Sequence, residues 1–205
     1  MTRSLSLIPP VLATSSGLAF AALARVVHRR PDNSVDATTR EQVLENTERP
    51  VQEAHKYLRR PGKWYVLVPA SMAASALLAR ARGVAAAVPV ALSALLGAAV
   101  AEGTEKWLPS RPPPPGRHDP DEPSFPSGHT LQPTAVSLTA AYVLSREGLV
   151  PPRVAAPVAL AVPLVFGLIQ LPGDRHWLSD VAGGWLAGLT IAATCAALYD
   201  VLARR

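Results

Sequence analysis

Two short polar stretches combine residue types that could carry chemistry, SFPSGHT at 124–130 and DRHWLSD at 174–180. Each precedes a long apolar block, and together they hold six candidate functional residues: Ser127, Gly128, His129, Arg175, His176 and Asp180. His176 and Asp180 are four positions apart, one turn of a helix, where a carboxylate orients an imidazole and stabilises its cation. A helix start that contains glycine offers backbone N–H groups to an anion. The pattern predicts a histidine–aspartate dyad beside an anion site, with His129 as a general acid.

Two cations, Lys106 and Arg111, close the preceding apolar block and are expected at the same membrane face. Structural interpretations stand beside the chemical ones. The two cations suit interface anchors, the SGH triplet suits a helix cap, and a His-x3-Asp pair is often structural or metal-binding. A metal site would draw on the following residues, whose spacing matches no trusted ligand pattern: His118, Asp119, Asp121 and His176. No metal and no other cofactor is therefore predicted.

The elements that must position these residues are apolar blocks separated by charged segments. Of the 205 residues, 49% are hydrophobic and 17% are charged. Six blocks of near-spanning length occur, roughly at 5–24, 64–79, 84–101, 130–144, 154–171 and 181–202. A helix needs about 20 apolar residues to cross a bilayer. The sequence predicts an all-α, polytopic membrane helix bundle of about six transmembrane helices, in preference to a soluble protein with buried helices.

The charged segment at 28–63 separates the first two blocks and predicts one or two amphipathic helices lying on the membrane surface. Thr38 or Thr39 is the expected cap and Pro50 the expected break. The chain thus divides into a first membrane helix with an interfacial segment at 1–63 and a transmembrane core at 64–205. The first block also has features of a cleaved signal peptide, although an uncut helix fits an even number of spans better.

The arginines in short loops predict the orientation of the bundle. With six spans, one face collects both chain ends and two short loops: Arg3, Arg80, Arg82, Arg146, Arg153, Arg204 and Arg205. The positive-inside rule makes that face cytoplasmic and places the polar motifs on the extracytoplasmic side of the cell membrane. The basic segment at 28–63 conflicts with this, but its acids nearly balance it and long loops count less. The net charge of +5 fits contact with anionic lipid, and no nucleic-acid partner is predicted.

The order Lys106…Arg-Pro, PSGH and His-x3-Asp resembles the type 2 phosphatidic acid phosphatase family, whose superfamily includes vanadium haloperoxidases and bacterial acid phosphatases. The resemblance covers roughly 60–202, and DRHWLSDVAGG at 174–184 is similar to bacterial membrane members. It implies a metal-independent hydrolase of phosphate monoesters or lipid diphosphates. By position, it implies that His176 is the nucleophile that forms a phosphohistidine, Asp180 orients it and His129 protonates the leaving oxygen. It implies phosphate binding by Lys106, Ser127 and Gly128, with Arg111 and Arg175 as further cations.

The sequence departs from that family pattern at two positions. Pro113 and Gln170 stand where phosphate-binding arginines are expected. An enzyme acting on a lipid-linked phosphate stays the preferred hypothesis, with membrane lipid and a lipid phosphate as partners. The alternative is a catalytically weak or inactive member that binds phospholipid head groups. A transporter or a purely structural membrane protein is less favoured, because the charges gather at one face and not within the bilayer.

Overall fold

The computed structural model describes residues 7–58, 60–107, 111–115 and 123–204, leaving out the side chains of 53, 54, 56, 58 and 105–107. In those residues, the regular elements are a 3-10 turn at Arg60–Gly62 and helices α1 (Ile8–Arg29), α2 (Ser34–Asn46), α3 (Arg49–Leu58), α4 (Trp64–Arg82), α5 (Val84–Trp107), α6 (Gly128–Arg146), α7 (Pro152–Leu168) and α8 (Leu178–Leu202). The predicted all-α class is confirmed, since each of the six apolar blocks forms one helix.

Four of the described helical segments are long and apolar enough to cross a membrane: α1, α4, Val84–Thr104 of α5, and α8. The 17-residue α7 is apolar but shorter. α6 is less apolar than these segments, because it carries many polar residues. Those polar residues face the protein, since Thr130, Gln132 and Thr139 are almost completely buried. α6 therefore lies inside the bundle, and its neighbours take the place of lipid.

α6 and α8 run parallel and form the centre of the bundle. At one end, the Ser127 backbone N–H donates to the Asp180 carbonyl at 3.0 Å. At the other, the Tyr142 hydroxyl donates to Asp200 at 2.8 Å. We call these the site end and the far end. Gly184 allows the helices to approach closely, because a Cβ there would lie 2.7 Å from the Ser127 carbonyl oxygen.

We expect Gly184→Ala to lower the free energy of unfolding by about 1–3 kcal/mol, because the added methyl group forces α8 away from α6. Gly17→Ala is the matched control. A Cβ at Gly17 would meet Thr190 Cγ2 at 3.6 Å, an ordinary contact, so this variant should match or exceed the wild type in stability. Thermal unfolding in detergent measures both. Equal unfolding midpoints for the two variants would contradict the close-approach argument.

α1 packs antiparallel against α8. Ser16 and Thr190 share a hydrogen bond of 2.9 Å, and the Phe20 ring stacks on Phe125 with centroids 5.9 Å apart. The chain then leaves α1 at the site end, so α2 and α3 lie on the same end as the two polar motifs. The division at residue 63 stays a prediction.

The connection between α1 and α4 differs in detail from the sequence prediction. The predicted cap at Thr38 or Thr39 is wrong, because the Asn33 side chain accepts from the Asp36 backbone N–H and starts α2 earlier. The expected break at Pro50 is present, since α2 ends at Asn46 and α3 begins at Arg49. Pro50 lies in the first turn of α3, where its missing N–H is not needed. α2 does not simply lie on a membrane surface, since its Asp36 is buried against the bundle.

The far end holds the arginines of the short loops. Leu78 of α4, Val90 of α5, Val143 of α6 and Tyr199 of α8 form one buried cluster there. The arginines at this end lie in the last turns of α4 and α6, in the first turn of α7 and just after α8: Arg80, Arg82, Arg146, Arg153 and Arg204. The two ends of the bundle are thus distinguished by charge as well as by the polar motifs.

Candidate active site

The loop before α6 is fixed onto α8 by backbone contacts. The Ser124 backbone N–H donates to the Arg111 carbonyl at 2.9 Å. The Phe125 ring lies over Gly183, where a Cβ would come within 2.6 Å of the ring. With the Ser127–Asp180 bond, these contacts set the start of α6 directly against the first turn of α8.

His176 is oriented by a backbone carbonyl. Its Nδ1 lies 2.9 Å from the Ser124 carbonyl oxygen. A carbonyl only accepts, so Nδ1 carries a proton, and in the neutral imidazole Nε2 then keeps a lone pair. The side chain is 12% exposed, which keeps it accessible at the surface of a cavity. This tautomer is the one that a nitrogen nucleophile at Nε2 requires.

Asp180 is fully buried beside this imidazole. Its Oδ2 accepts the Trp177 backbone N–H at 2.8 Å and lies 3.8 Å from His176 Nδ1. Its Oδ1 accepts from Arg111 Nη1 at 2.8 Å. The His176–Asp180 separation is longer than a hydrogen bond, so the Ser124 carbonyl orients the imidazole while the Asp180 carboxylate lies close to it without a direct bond.

The His129 ring lies opposite the His176 ring. The two ring centroids lie 6.4 Å apart with a 56° angle between the planes. One ring comes from the first turn of α6 and the other from the residues before α8. The parallel central helices thus bring together two histidines that are distant in sequence.

Both histidines line one cavity of about 260 Å³ at the site end. Its other walls come from the 3-10 turn, the ends of α4 and α5, the start of α6 and the loops before α6 and α8: Gly62, Lys63, Trp64, Tyr65, Ala101, Glu102, Pro113, Pro123, Ser124, Pro126, Gly128, Gln132 and Arg175. Lys63 and Arg175 supply positive charge and Glu102 supplies a carboxylate.

The remaining predicted site residues are distributed unevenly around this cavity. Gly128 and Arg175 line it. Ser127 is fully buried behind it, where its hydroxyl accepts from Thr130 Oγ1 at 3.1 Å. Arg111 is also buried and lies against carboxylates. The Lys106 side chain, like His118, Asp119 and Asp121, is outside the described part of the chain.

The sequence matches the model of the PAP2 superfamily over residues 11–204. The chain belongs to the PAP2 superfamily. Among solved structures, it is similar to the first transmembrane PAP2 type phosphatidylglycerolphosphate phosphatase from Bacillus subtilis, with a TM-score of 0.72. The identity is 20%, with 89% of this chain and 93% of that chain covered, so the likeness concerns the fold. No curated protein matches the sequence. The resemblance predicted from the motifs is confirmed.

This PAP2 chain places no cation at the two positions where the family pattern has arginine. Pro113 lines the cavity but carries no charge. Gln170 is completely buried, and its amide donates to the Phe166 carbonyl at 2.9 Å. Positive charge that replaces these two arginines must therefore come from other positions.

Two residues near the PAP2 motifs were not predicted from the sequence. Lys63 directly precedes α4 and lines the cavity, although it lies far earlier in the chain than either motif. Asp36 of α2 contacts both Arg111 and Ser179. Burial raises the pKa of Asp36, but hydrogen bonds from Ser179 and Arg111 outweigh it and hold that pKa below its ordinary value. Neither residue lies in a motif, so only the tertiary fold reveals them.

Proposed function

We propose that this protein is an integral-membrane, metal-independent phosphatase that hydrolyses a lipid-linked phosphate or diphosphate through a phosphohistidine. The observation that carries the proposal is the pair of imidazoles in one cavity, with His176 Nδ1 held by the Ser124 carbonyl. Membership of the PAP2 superfamily supports the reaction class.

The first step transfers the phosphoryl group to the protein. His176 Nε2 attacks phosphorus, and the bond between phosphorus and the lipid oxygen breaks. Protonated His129 gives its proton to that oxygen, so the alcohol (or, from a diphosphate, the lipid monophosphate) leaves. Asp180 stabilises the positive charge that develops on His176.

The second step regenerates the enzyme. Neutral His129 takes a proton from a water molecule as the water oxygen attacks phosphorus. The phosphorus–nitrogen bond breaks, its electron pair returns to His176 Nε2, and inorganic phosphate leaves. His129 is then protonated again and ready for the next substrate.

Phosphate binding is assigned to groups around the cavity. The Gly128 backbone N–H at the start of α6 adds a partial positive charge, and Lys63 and Arg175 add full charges. Lys106 is kept in this role from the family pattern, whereas Ser127 is not, because it is buried behind the cavity with its hydroxyl bonded to Thr130. Lys63 and Arg175 are proposed to replace the charge that Pro113 and Gln170 lack.

The proposed location of the site is the extracytoplasmic side of the cell membrane. The far end carries the arginines of both short loops, which favours the cytoplasm for that end. Among residues 28–63, which lie at the site end, the acids offset most of the positive charge of that segment.

The test of the function is phosphate release from a panel of lipid phosphates by the protein purified in detergent with EDTA. The panel covers phosphatidic acid, phosphatidylglycerophosphate, and polyprenyl monophosphate and diphosphate. Release that survives EDTA supports the proposal. Absence of release from folded protein favours the alternative that Pro113 and Gln170 motivate, a PAP2 member that binds head groups without turnover.

Lys63→Gln is expected to reduce kcat/KM about tenfold, because one charge-assisted contact to the phosphate is lost. Lys63→Arg should keep most of the activity. Arg60→Gln is the matched control, since it removes the same charge three positions away, where Arg60 stacks on Tyr57 outside the cavity. Steady-state kinetics measure kcat/KM for the three variants. Equal losses of kcat/KM in Lys63→Gln and Arg60→Gln would show that Lys63 contributes only to the general surface charge.

A further inference from the structure

Arg111 lies between two buried carboxylates at the site end. Its Nη2 is 2.6 Å from Asp36 Oδ2 and its Nη1 is 2.8 Å from Asp180 Oδ1. The three side chains are at most 3% exposed. One guanidinium is thus shared by the aspartate that supports the nucleophile and by an aspartate on α2.

The donors of Arg111 are almost completely committed to this arrangement. Nη1 also donates to Ser179 Oγ at 2.6 Å, and Nη2 also donates to the Pro31 carbonyl at 2.8 Å. Four of its five N–H groups are therefore used. The Arg111 side chain consequently cannot present a bidentate pair to a phosphate without breaking at least one of these four contacts.

Asp36 also holds the first turn of α8. Its Oδ1 accepts the Ser179 backbone N–H at 2.9 Å, and its Oδ2 accepts the Ser179 hydroxyl at 2.5 Å. Ser179 directly precedes Asp180. Asp36 thus fixes both neighbours of the Asp180 carboxylate, the guanidinium on one side and the backbone on the other.

The charge balance gives this arrangement a chemical consequence. A guanidinium paired with Asp180 alone would neutralise the carboxylate that must stabilise the His176 cation. Because Asp36 competes for the same guanidinium, the group of three keeps a net negative charge beside His176. In a buried site that charge is only weakly screened, so its effect on the imidazole is large.

We propose that Asp36 is a positioning residue for the nucleophile, which acts on His176 through Arg111 and Asp180. This rests on the proposed phosphatase function. It assigns α2 a part in catalysis and gives Arg111 a role in holding Asp180, in place of the phosphate contact that the family pattern suggests.

The test compares Asp36→Asn with Arg40→Gln. Both changes lie on α2, but Arg40 pairs with Asp174 at the partly exposed edge, through contacts of 2.6 and 2.8 Å. Asp36→Asn should lower kcat about 10–100-fold, with KM changed less than about threefold, since binding groups are untouched. Arg40→Gln should stay within about threefold of wild type in both constants. Unchanged kcat in Asp36→Asn, or equal losses in both variants, overturns the proposal.

Further readouts keep the proposal decidable. Should Asp36→Asn not fold, Ser179→Ala removes one of the same hydrogen bonds and should still reduce kcat several-fold with unchanged KM; no change counts against the proposal. Should the wild type release no phosphate, the proposed function fails separately. In that case the affinity for orthovanadate, an analogue of the phosphoryl-transfer transition state, tests the proposal about Asp36. Asp36→Asn should weaken orthovanadate binding about tenfold if Asp36 positions His176. Equal affinities of wild type and variant overturn the proposal.

Discussion

His176→Ala is expected to abolish phosphate release, with a loss of kcat on the order of 10⁴-fold or more, because no covalent intermediate can form without Nε2. The rest of the cavity stays in place in this variant. Lys63, Gly128 and Arg175 still line the cavity, so substrate binding should change far less than turnover. Phosphate release by purified wild type and variant, both in EDTA, gives the comparison.

The intermediate offers a second readout of the same prediction. Rapid acid-free quenching with labelled substrate should trap phosphate on the wild type in a bond that is labile in acid and stable in base. The variant should trap none. Its matched control is His55→Gln, since His55 is a histidine of the same end that packs over Gly173 outside the cavity. Labelled phosphate on His176→Ala would refute the assignment of the nucleophile.

His129→Gln is expected to reduce kcat about 10²–10⁴-fold on a lipid phosphate, because an alkoxide leaves poorly without a proton. Its dependence on the leaving group is the sharper prediction. A nitrophenolate needs little protonation, so turnover of p-nitrophenyl phosphate should fall far less. Both substrates are measured with wild type and variant, and folding is checked by thermal unfolding.

The selectivity of that loss separates the role of His129 from that of His176. His176→Ala should lose turnover of both substrates to the same extent, since both reactions must pass through the phosphohistidine. Equal losses on both substrates in His129→Gln would show that His129 does not act as the acid. It would then contribute to binding or to the shape of the cavity.

The parts of the fold that hydropathy controls were predictable from the sequence. The six apolar blocks became α1 and α4 to α8, since long apolar runs have few alternatives to a packed helix. The motifs also revealed the PAP2 superfamily, because PSGH and His-x3-Asp combine chemistry with fixed spacing. The Ser127–Asp180 backbone bond explains why they meet, as each motif begins one of two parallel helices.

The remainder depended on contacts that carry no local signal. Lys63 lies in a short basic segment that resembles an ordinary membrane-interface sequence, and only the position of α4 brings it to the cavity. Asp36 sits on a polar helix whose sequence does not indicate burial. Arg111 looked like a phosphate ligand by type and position, but its partners are set by how α2 packs. Long-range electrostatic pairing of this kind requires the tertiary structure.

The aromatic wall of the cavity determines how a substrate would arrive. Trp64 and Tyr65, at the first turn of α4, are about half exposed and also line the cavity. Such rings prefer the level of lipid head groups. For the lipid-linked substrate proposed above, the entrance therefore lies where the head group already is. The acyl or prenyl chain can stay in the bilayer throughout, and encounter becomes a two-dimensional search governed by the surface density of substrate in the membrane.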